Sequence, residues 1–204
     1  MNKIILIGAG GHARSCIDVI ESTLKYRIVG LVDKDFKKIK NIFKYKVIGS
    51  DNDLEKIFFQ NKVKYAHISI GYIKDSMKRK NLFLKLRKIG FKFPSIISKK
   101  SYVSKYSSID EGTIVMHNAV INSNVRVGKN CIINTNSLIE HDSVIGDNCH
   151  IATSSTINST VKVGKNSFIG SGSIIKQSVN IGENSFINMG KKIFKDIKKR
   201  TIII

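Results

Sequence analysis

From Val103 onward, every sixth residue is Ile or Val: Ile109, Val115, Ile121, Val127, Ile133, Ile139, Ile145, Ile151, Ile157, Val163, Ile169, Ile175, Ile181 and Ile187. These two residue types make up about a quarter of the chain, so chance would give an unbroken run of this length roughly once in a billion tries. The position four after each anchor is mostly small, as in Ser107, Thr113, Ala119, Ser137, Ser143, Ser155, Ser167, Ser173 and Ser185. Gly often follows the anchor directly, at Gly128, Gly146, Gly164, Gly170 and Gly182.

A longer period lies on top of the short one. Gly-x-Asn recurs at Gly128-Lys129-Asn130, Gly146-Asp147-Asn148, Gly164-Lys165-Asn166 and Gly182-Glu183-Asn184, 18 residues apart each time. Three hexads therefore make one coil with three flat sides, and the fifteen anchors predict five coils. The aliphatic anchors are expected to stack inside the prism, with small residues where the chain bends. Asn and Gly tolerate positive φ and are expected at the corners. Cys131 and Cys149, also 18 apart, read as stacked core residues rather than ligands or nucleophiles.

Residues 1–95 have a different texture. Lys3 to Ile7 is a short apolar strand leading into Gly8-Ala9-Gly10-Gly11-His12-Ala13, and a helical pattern follows through Cys16, Ile17, Val19 and Ile20. Arg27 to Val32 reads as a second buried strand ending at Asp33, Val63 to Ile70 as a later strand ending at Gly71, and Met77 to Ile89 as a helix. Strands alternating with helices imply a parallel, doubly wound sheet. Gly8, Gly10 and Ala13 match the dinucleotide fingerprint, with Asp33 at the distance of a ribose contact. The glycines let backbone amides approach a phosphate at a helix N-terminus. The domain spans only about one mononucleotide-binding half, which suits a nucleotide-sugar diphosphate better than NAD. The same glycines also suit a turn that only packs a helix on a sheet.

Three cysteines, an odd number, fit a reducing cytoplasm better than a disulfide framework. No apolar run reaches 18 residues, so no membrane insertion is expected. The formal net charge of +20 raises nucleic acid as a partner. The lysines, however, are spread along the whole chain without aromatic interleaving, so no nucleic acid is expected; an anionic substrate or cofactor is the better use of the charge.

The repeat resembles that of the hexapeptide-repeat acyltransferases, which fold as left-handed parallel β-helices and work as trimers with active sites between prisms. Gly8 to Ala13, Ile68-Ser69-Ile70-Gly71 and Ile139-Glu140-His141-Asp142-Ser143-Val144-Ile145-Gly146 together resemble one group. It contains the UDP-amino-sugar N-acetyltransferases of bacillosamine synthesis and the sialic-acid O-acetyltransferases, the NeuD/PglD-like family. The expected fold is thus α/β plus β-solenoid: a small Rossmann-like domain over 1–95, binding the acceptor, then a left-handed β-helix over 96–204. The resemblance implies a homotrimer using acetyl-CoA as co-substrate.

The five histidines are not equivalent. His67 falls within a predicted strand and reads as structural; His117, without an acidic neighbour in the sequence, reads as surface. His141 lies two residues past an anchor, where side chains project outward, and Asp142 follows it. Acetyl transfer from a thioester needs a base for the nucleophile's proton, and imidazole titrates near neutrality. Adjacent strand residues point to opposite faces, so Asp142 reaches His141 only if the chain turns there.

The resemblance implies that His141 is the general base, with Asp142 standing where the family has Glu. It implies that His150 lies near the thioester and donates to its carbonyl. Backbone groups at Ser171 and Met189 would hold the pantetheine arm, Met189 replacing a family Gly. Gly10, Gly11, His12, Ala13, Arg14, Asp33, Lys34, Asp35 and Gly71 would hold the acceptor, with Asn134 near its sugar. Two histidines and one Asp without a third clear ligand make no zinc site, so no metal is expected. The family continues past its last coil through a segment like Gly-Val-Pro-Ala-Lys; this sequence ends Thr201-Ile202-Ile203-Ile204 and has its one proline at Pro94, which implies a weaker hold on the adenine end of CoA. The resulting expectation is N-acetylation of a nucleotide-linked amino sugar for a bacterial surface glycan. Two alternatives stand beside it: O-acetylation of sialic acid or a related sugar, and a non-catalytic sugar-nucleotide-binding partner of a biosynthetic enzyme.

Overall fold

The computed structural model describes residues 1–60, 62–73 and 76–204. The chain begins with a parallel sheet: β1 (Asn2–Ile7), α1 (Gly11–Thr23), β2 (Tyr26–Val32), β3 (Asn41–Ile42), β4 (Tyr45–Gly49), α2 (Leu54–Gln60), β5 (Tyr65–Ile68) and α3 (Met77–Ile89). The sheet order is β3-β4-β2-β1-β5. All pairings are parallel except β3 with β4. Ile4, Ile5, Leu6 and Ile7 are fully buried, as a central strand covered on both faces requires. The sequence reading anticipates β1, α1, β2, β5 and α3 but not β3, β4 and α2. β4 alternates exposed and half-buried residues, which leaves no continuous apolar run to find.

From Ile96 the chain winds as a three-sided prism of two-residue strands. Its first face runs from Ile96–Ile97 to Ile202–Ile203 in seven strands, the second from Tyr102–Val103 to Lys192–Ile193 in six, and the third from Ser108–Ile109 to Asn180–Ile181 in five. From Tyr102–Val103 on, the second residue of each strand is an anchor packed in the prism core. The anchors from Val115 to Ile187 are at most 2% exposed and form one continuous core. Cys131 and Cys149 stack within it, the Cys149 amide lying 3.4 Å from the Cys131 sulfur.

The prism is longer than the five coils expected. The hexad step continues outward to Ile97, paired with Val115, and to Ile193, paired with Ile175. One short side of four residues then brings Ile197 onto Ile181, and Ile203 closes the coil on Ile187. The C-terminal residues therefore form a further coil.

Corners recur every six residues with left-handed φ, including Asn130, Asp142, Asn148, Ser154, Thr160 and Asn166. Asn dominates because its short amide tolerates this region and bonds locally. Asn130, Asn148, Asn166 and Asn184 form a ladder, each of the first three donating its side-chain amide to the next coil's Asn, at 2.9, 3.2 and 3.1 Å. The glycines after the anchors have another reason. Gly146 does not have left-handed φ; a Cβ there would lie 2.7 Å from Lys165 N. It is small because successive coils touch, not because the chain bends.

The two units share a core. Ile96, Ile114 and Ile132, on the outside of the first face, pack with Ile4, Leu6, Ala13, Cys16, Ile17 and Ile20. The α/β sheet and α1 thus seat on the first three coils of that face. His117 belongs to this junction. It is not a bare surface residue: its Nε2 lies 2.9 Å from Asp18 Oδ2 of α1, and its Nδ1 lies 2.5 Å from Ser98 Oγ. The acidic neighbour is 99 residues away in sequence, beyond the reach of a local reading. Among the described residues, no helix is long and apolar enough to cross a membrane.

Candidate active site

A cleft of about 750 Å³ opens beside the junction. Its walls come from the C-terminal ends of β1, β2 and β5 and the start of α1, with His150 of the prism closing one side. Ligands of open parallel sheets bind at this edge because strand ends and helix N-termini converge there.

Of the residues expected to bind the acceptor, Gly10, Gly11, His12, Asp33, Lys34, Asp35 and Gly71 line the cleft. Ala13 does not: it is fully buried in the shared core. Arg14 is exposed on α1 and also lies outside the cleft. Asp33 braces the surrounding loops, accepting from the Ala9 amide at 2.7 Å and the Asp35 amide at 2.9 Å. Burial, with nearby Arg79 and His150, lowers the His12 pKa to about 3. Its Nε2 is buried without a partner among the described residues, so the ring is neutral at physiological pH.

His150 sits on the outside of the first face, 8% exposed. Its Nδ1 is 2.8 Å from the Tyr72 carbonyl oxygen. A carbonyl only accepts, so Nδ1 carries the proton. Its Nε2 is 3.2 Å from Asn134 Nδ2. Asn134 Oδ1 accepts from the Thr135 amide at 2.8 Å, which fixes the Asn134 amide with its nitrogen toward His150. Nε2 is therefore an acceptor. Burial pulls the ring's pKa down to about 4, partly offset by the Tyr72 hydrogen bond. As held, Nε2 accepts from Asn134, so His150 does not offer the N–H donor expected for a thioester carbonyl. Asn134, expected near the acceptor sugar, is the partner of this ring.

His141 and Asp142 lie on the corner between the second and third faces. Asp142 has φ 61°, so the chain does turn there, and His141 Nδ1 meets Asp142 Oδ2 at 2.7 Å. Asn124 Nδ2, from the preceding coil, donates to the other carboxylate oxygen at 2.6 Å. Hydrogen bonds from His141 and then Asn124 hold the Asp142 carboxyl below the usual carboxylate range. With Nδ1–H turned to the carboxylate, His141 has its Nε2 lone pair free for a proton, as a general base requires.

Ser171 and Met189, 18 residues apart, stack on the corner between the first and second faces; both are exposed. The Met189 amide is taken by Asn188 Oδ1 at 2.9 Å, and the Ser171 carbonyl accepts from the Gly190 amide at 2.9 Å. The single chain thus brings His150 and Asn134 together at the cleft, and Ser171 and Met189 together on one corner. It leaves His141 and Asp142 on a different corner, outside the cleft.

Two residues escape a sequence reading. Tyr72 directly follows Gly71 and lines the cleft at 9% exposure. Arg79 is 1% exposed; it donates to the carbonyls of Ile68, Ile70 (3.1 Å) and Asn130 (3.3 Å). Burial lowers its pKa to about 10. In the sequence Arg79 is one of three consecutive cations, Lys78-Arg79-Lys80, with nothing to separate it from a solvated helix face. Among the described residues, no group of His, Cys, Asp and Glu is placed to hold a metal ion.

Residues 3–86 match the family model of the PglD N-terminal domain. Residues 124–159 and 142–177 match that of the bacterial transferase hexapeptide (six repeats). The chain thus joins a PglD-type N-terminal domain to bacterial transferase hexapeptide repeats, the combination found in PglD-like sugar acetyltransferases. No curated protein matches the sequence. The structure is similar to that of GDP-perosamine N-acetyltransferase from Caulobacter crescentus, solved in complex with CoA and GDP-perosamine, with a TM-score of 0.92 and 26% identity over 99% of this chain and 93% of that one. The acetyltransferase domain of PglB from Neisseria gonorrhoeae shares the fold, with a TM-score of 0.91 and 24% identity over 99% and 96% of the two chains. WeeI from Acinetobacter baumannii shares it at 0.84 and 20%, again over 99% and 96%.

Proposed function

We propose that this chain transfers the acetyl group of acetyl-CoA to the amino group of a nucleotide-linked sugar, for a bacterial surface glycan. The observation that carries the reading is the cleft. It joins a helix N-terminus suited to a diphosphate, at Gly10 to His12, to His150 on the acyltransferase prism. The complex of the Caulobacter enzyme with CoA and GDP-perosamine supports the same pairing of ligands. In this reading residues 1–95 bind the acceptor and residues 96–204 carry acyl transfer. The sugar's amine attacks the thioester carbonyl and its proton passes to His141 Nε2; the carbon–sulfur bond then breaks, and the same proton goes on to the departing sulfur, so that CoA leaves as thiol and the base is restored.

His141 lies outside the cleft, so the reaction needs a second copy. The second face carries an outward row of Tyr102, Val120, Leu138, Thr156, Ile174 and Lys192, four of them apolar, whereas the third face carries Ser108, Arg126, Val144, Lys162 and Asn180, with one apolar residue. The apolar face lies between the corner holding His141 and the corner holding Ser171. Its burial against a neighbour in a homotrimer would set one copy's His141–Asp142 pair beside another's cleft, with acetyl-CoA along the groove between them. Cys16, Cys131 and Cys149 are all free thiols, in keeping with work in a reducing cytoplasm.

The test is to incubate the protein with acetyl-CoA and a panel of GDP-, UDP- and dTDP-linked amino sugars, following free thiol and the acetylated product by mass spectrometry. Transfer to an amine is expected. Transfer only to a hydroxyl of free sialic acid would replace this reading with O-acetylation, and no transfer to any acceptor would end it. Light scattering that shows a monomer at micromolar concentration would remove the shared site.

A further inference from the structure

Tyr72 is held at both of its polar ends, and both ends touch the prism. Its hydroxyl donates to the Asn148 carbonyl at 2.5 Å, with the Ser167 carbonyl, one coil further on, also within reach at 3.1 Å. Its own backbone carbonyl accepts from His150 Nδ1. The ring packs edge-on to His150 and Phe168, with centroids 5.5 and 6.3 Å away, and His150 packs edge-on to Phe168 at 5.1 Å. Behind it, Arg79 grips the Ile68 and Ile70 carbonyls just upstream, so the segment that follows β5 and carries Tyr72 arrives already braced.

This arrangement solves a specific chemical problem. A neutral imidazole has two tautomers, and the partner of one nitrogen decides which the other shows. The Tyr72 carbonyl accepts and so keeps the hydrogen on Nδ1. That choice leaves Nε2, beside Asn134 at the cleft, as a lone pair. The carbonyl can impose it only while it stays in place, and the hydroxyl, anchored on prism backbone, is what keeps it there. We propose that Tyr72 is a positioning residue for His150, tying the segment that follows β5 to the prism so that its carbonyl fixes the His150 ring as the Nδ1–H tautomer with Nε2 as an acceptor at the acetyl-transfer site.

The kinetic part of this proposal rests on the acetyltransferase reading; the tautomer part does not. The experiment uses the full chain with 15N-labelled histidine, the His150 signals being assigned by their loss in His150→Gln. In the unsubstituted protein at neutral pH, His150 should show a protonated Nδ1 and an unprotonated Nε2. A native His150 with the hydrogen on Nε2, or as an imidazolium, would overturn the proposal without any variant being needed.

Tyr72→Phe keeps the ring and removes the anchor. Its His150 signals should move toward the Nε2–H tautomer. Its kcat should fall roughly 10- to 100-fold, the scale of one lost buried hydrogen bond, with KM for acetyl-CoA and acceptor nearly unchanged. A merely structural tyrosine would lower thermal stability and leave the tautomer alone, and that result would also overturn the proposal. If the unsubstituted protein transfers no acetyl group, the functional reading fails, while the nitrogen spectra still decide the role of Tyr72.

Discussion

Two glycines of the prism are small for different reasons, and the difference predicts a ranking of variants. At Gly146 an added Cβ would lie 2.7 Å from Lys165 N, 3.0 Å from Lys165 Cα and 3.1 Å from Val163 O. All three are backbone atoms of the next coil, and none can turn aside. The coils cannot separate freely either, because the Gly146 amide donates to the Val163 carbonyl at 2.8 Å. Overpacking of this kind costs about 1–3 kcal/mol. For a chain of this size each kcal/mol lowers Tm by about 2–4 °C, so Gly146→Ala should melt roughly 2–12 °C below the parent.

At Gly172 nothing lies within 4 Å of an added Cβ, but φ is +67°. An alanine there fits the space and strains the backbone, at a cost of about 1–2 kcal/mol. Asn118 and Asn136 occupy equivalent corners with φ near 60°, so Gly172→Asn should be close to neutral. The unfolded chain gives up freedom worth about 0.4–1 kcal/mol when a glycine is replaced, which offsets the remaining strain. The assay is thermal unfolding by circular dichroism, with urea midpoints as a check. A parent-like Gly146→Ala, or a Gly172→Asn as unstable as Gly172→Ala, would refute the separation of contact from conformation.

Other outcomes concern the site. His141→Ala should lower kcat about 10²–10⁴-fold with both binding constants little changed, by steady-state kinetics on the identified acceptor; near-normal kcat would remove His141 from the mechanism. Gly11 lines the cleft with open space where a Cβ would stand, so Gly11→Val should leave Tm unchanged and raise the acceptor's KM without affecting acetyl-CoA binding by calorimetry. Acetyl-CoA at about 100 times its Kd should stabilise the fold by about 2.7 kcal/mol, read as a rise in Tm. Burial holds His12 and His150 at about 3 and about 4 in the folded protein, below the ordinary imidazole value of about 6.5. Between those values the unfolded chain binds more protons, so stability should fall as pH drops from about 6.5 toward 4. A urea midpoint that stays flat across that window would show that neither ring is held neutral.

The prism was legible because its constraint repeats. Each anchor needs an aliphatic side chain at the same step, and one side of one coil already states the rule for the next. What broke the rule was less visible: the short side from Ile193 to Ile197 shifts the phase by two residues and hides the last coil. The His141–Asp142 pair could be located in sequence, but its contact depended on a left-handed corner at Asp142, which adjacent residues on a strand would not make. Tyr72 and Arg79 act through carbonyls far along the chain, at Asn148 and Asn130. A carbonyl has no residue identity, so no sequence pattern records such contacts. Ala13 and Arg14 share the glycine loop's motif, yet α1 turns one into the core and the other to solvent.

The seating of the α/β unit on the first coils has a consequence for how such a chain can vary. Neighbouring strands of a sheet lie about 4.8 Å apart, so every added or deleted coil moves the far end of the prism by that one step relative to the cleft. The junction at Ile96, Ile114 and Ile132 and the ring of His150 lie at fixed heights on this ruler. An 18-residue deletion beyond His150 would shorten the groove while leaving the cleft untouched. Removing residues 133–150 instead would bring Phe168 to the height of His150 under Tyr72. The length of ligand the molecule can span is thus set in whole steps, and only coils on one side of the ruler's zero are free to change it.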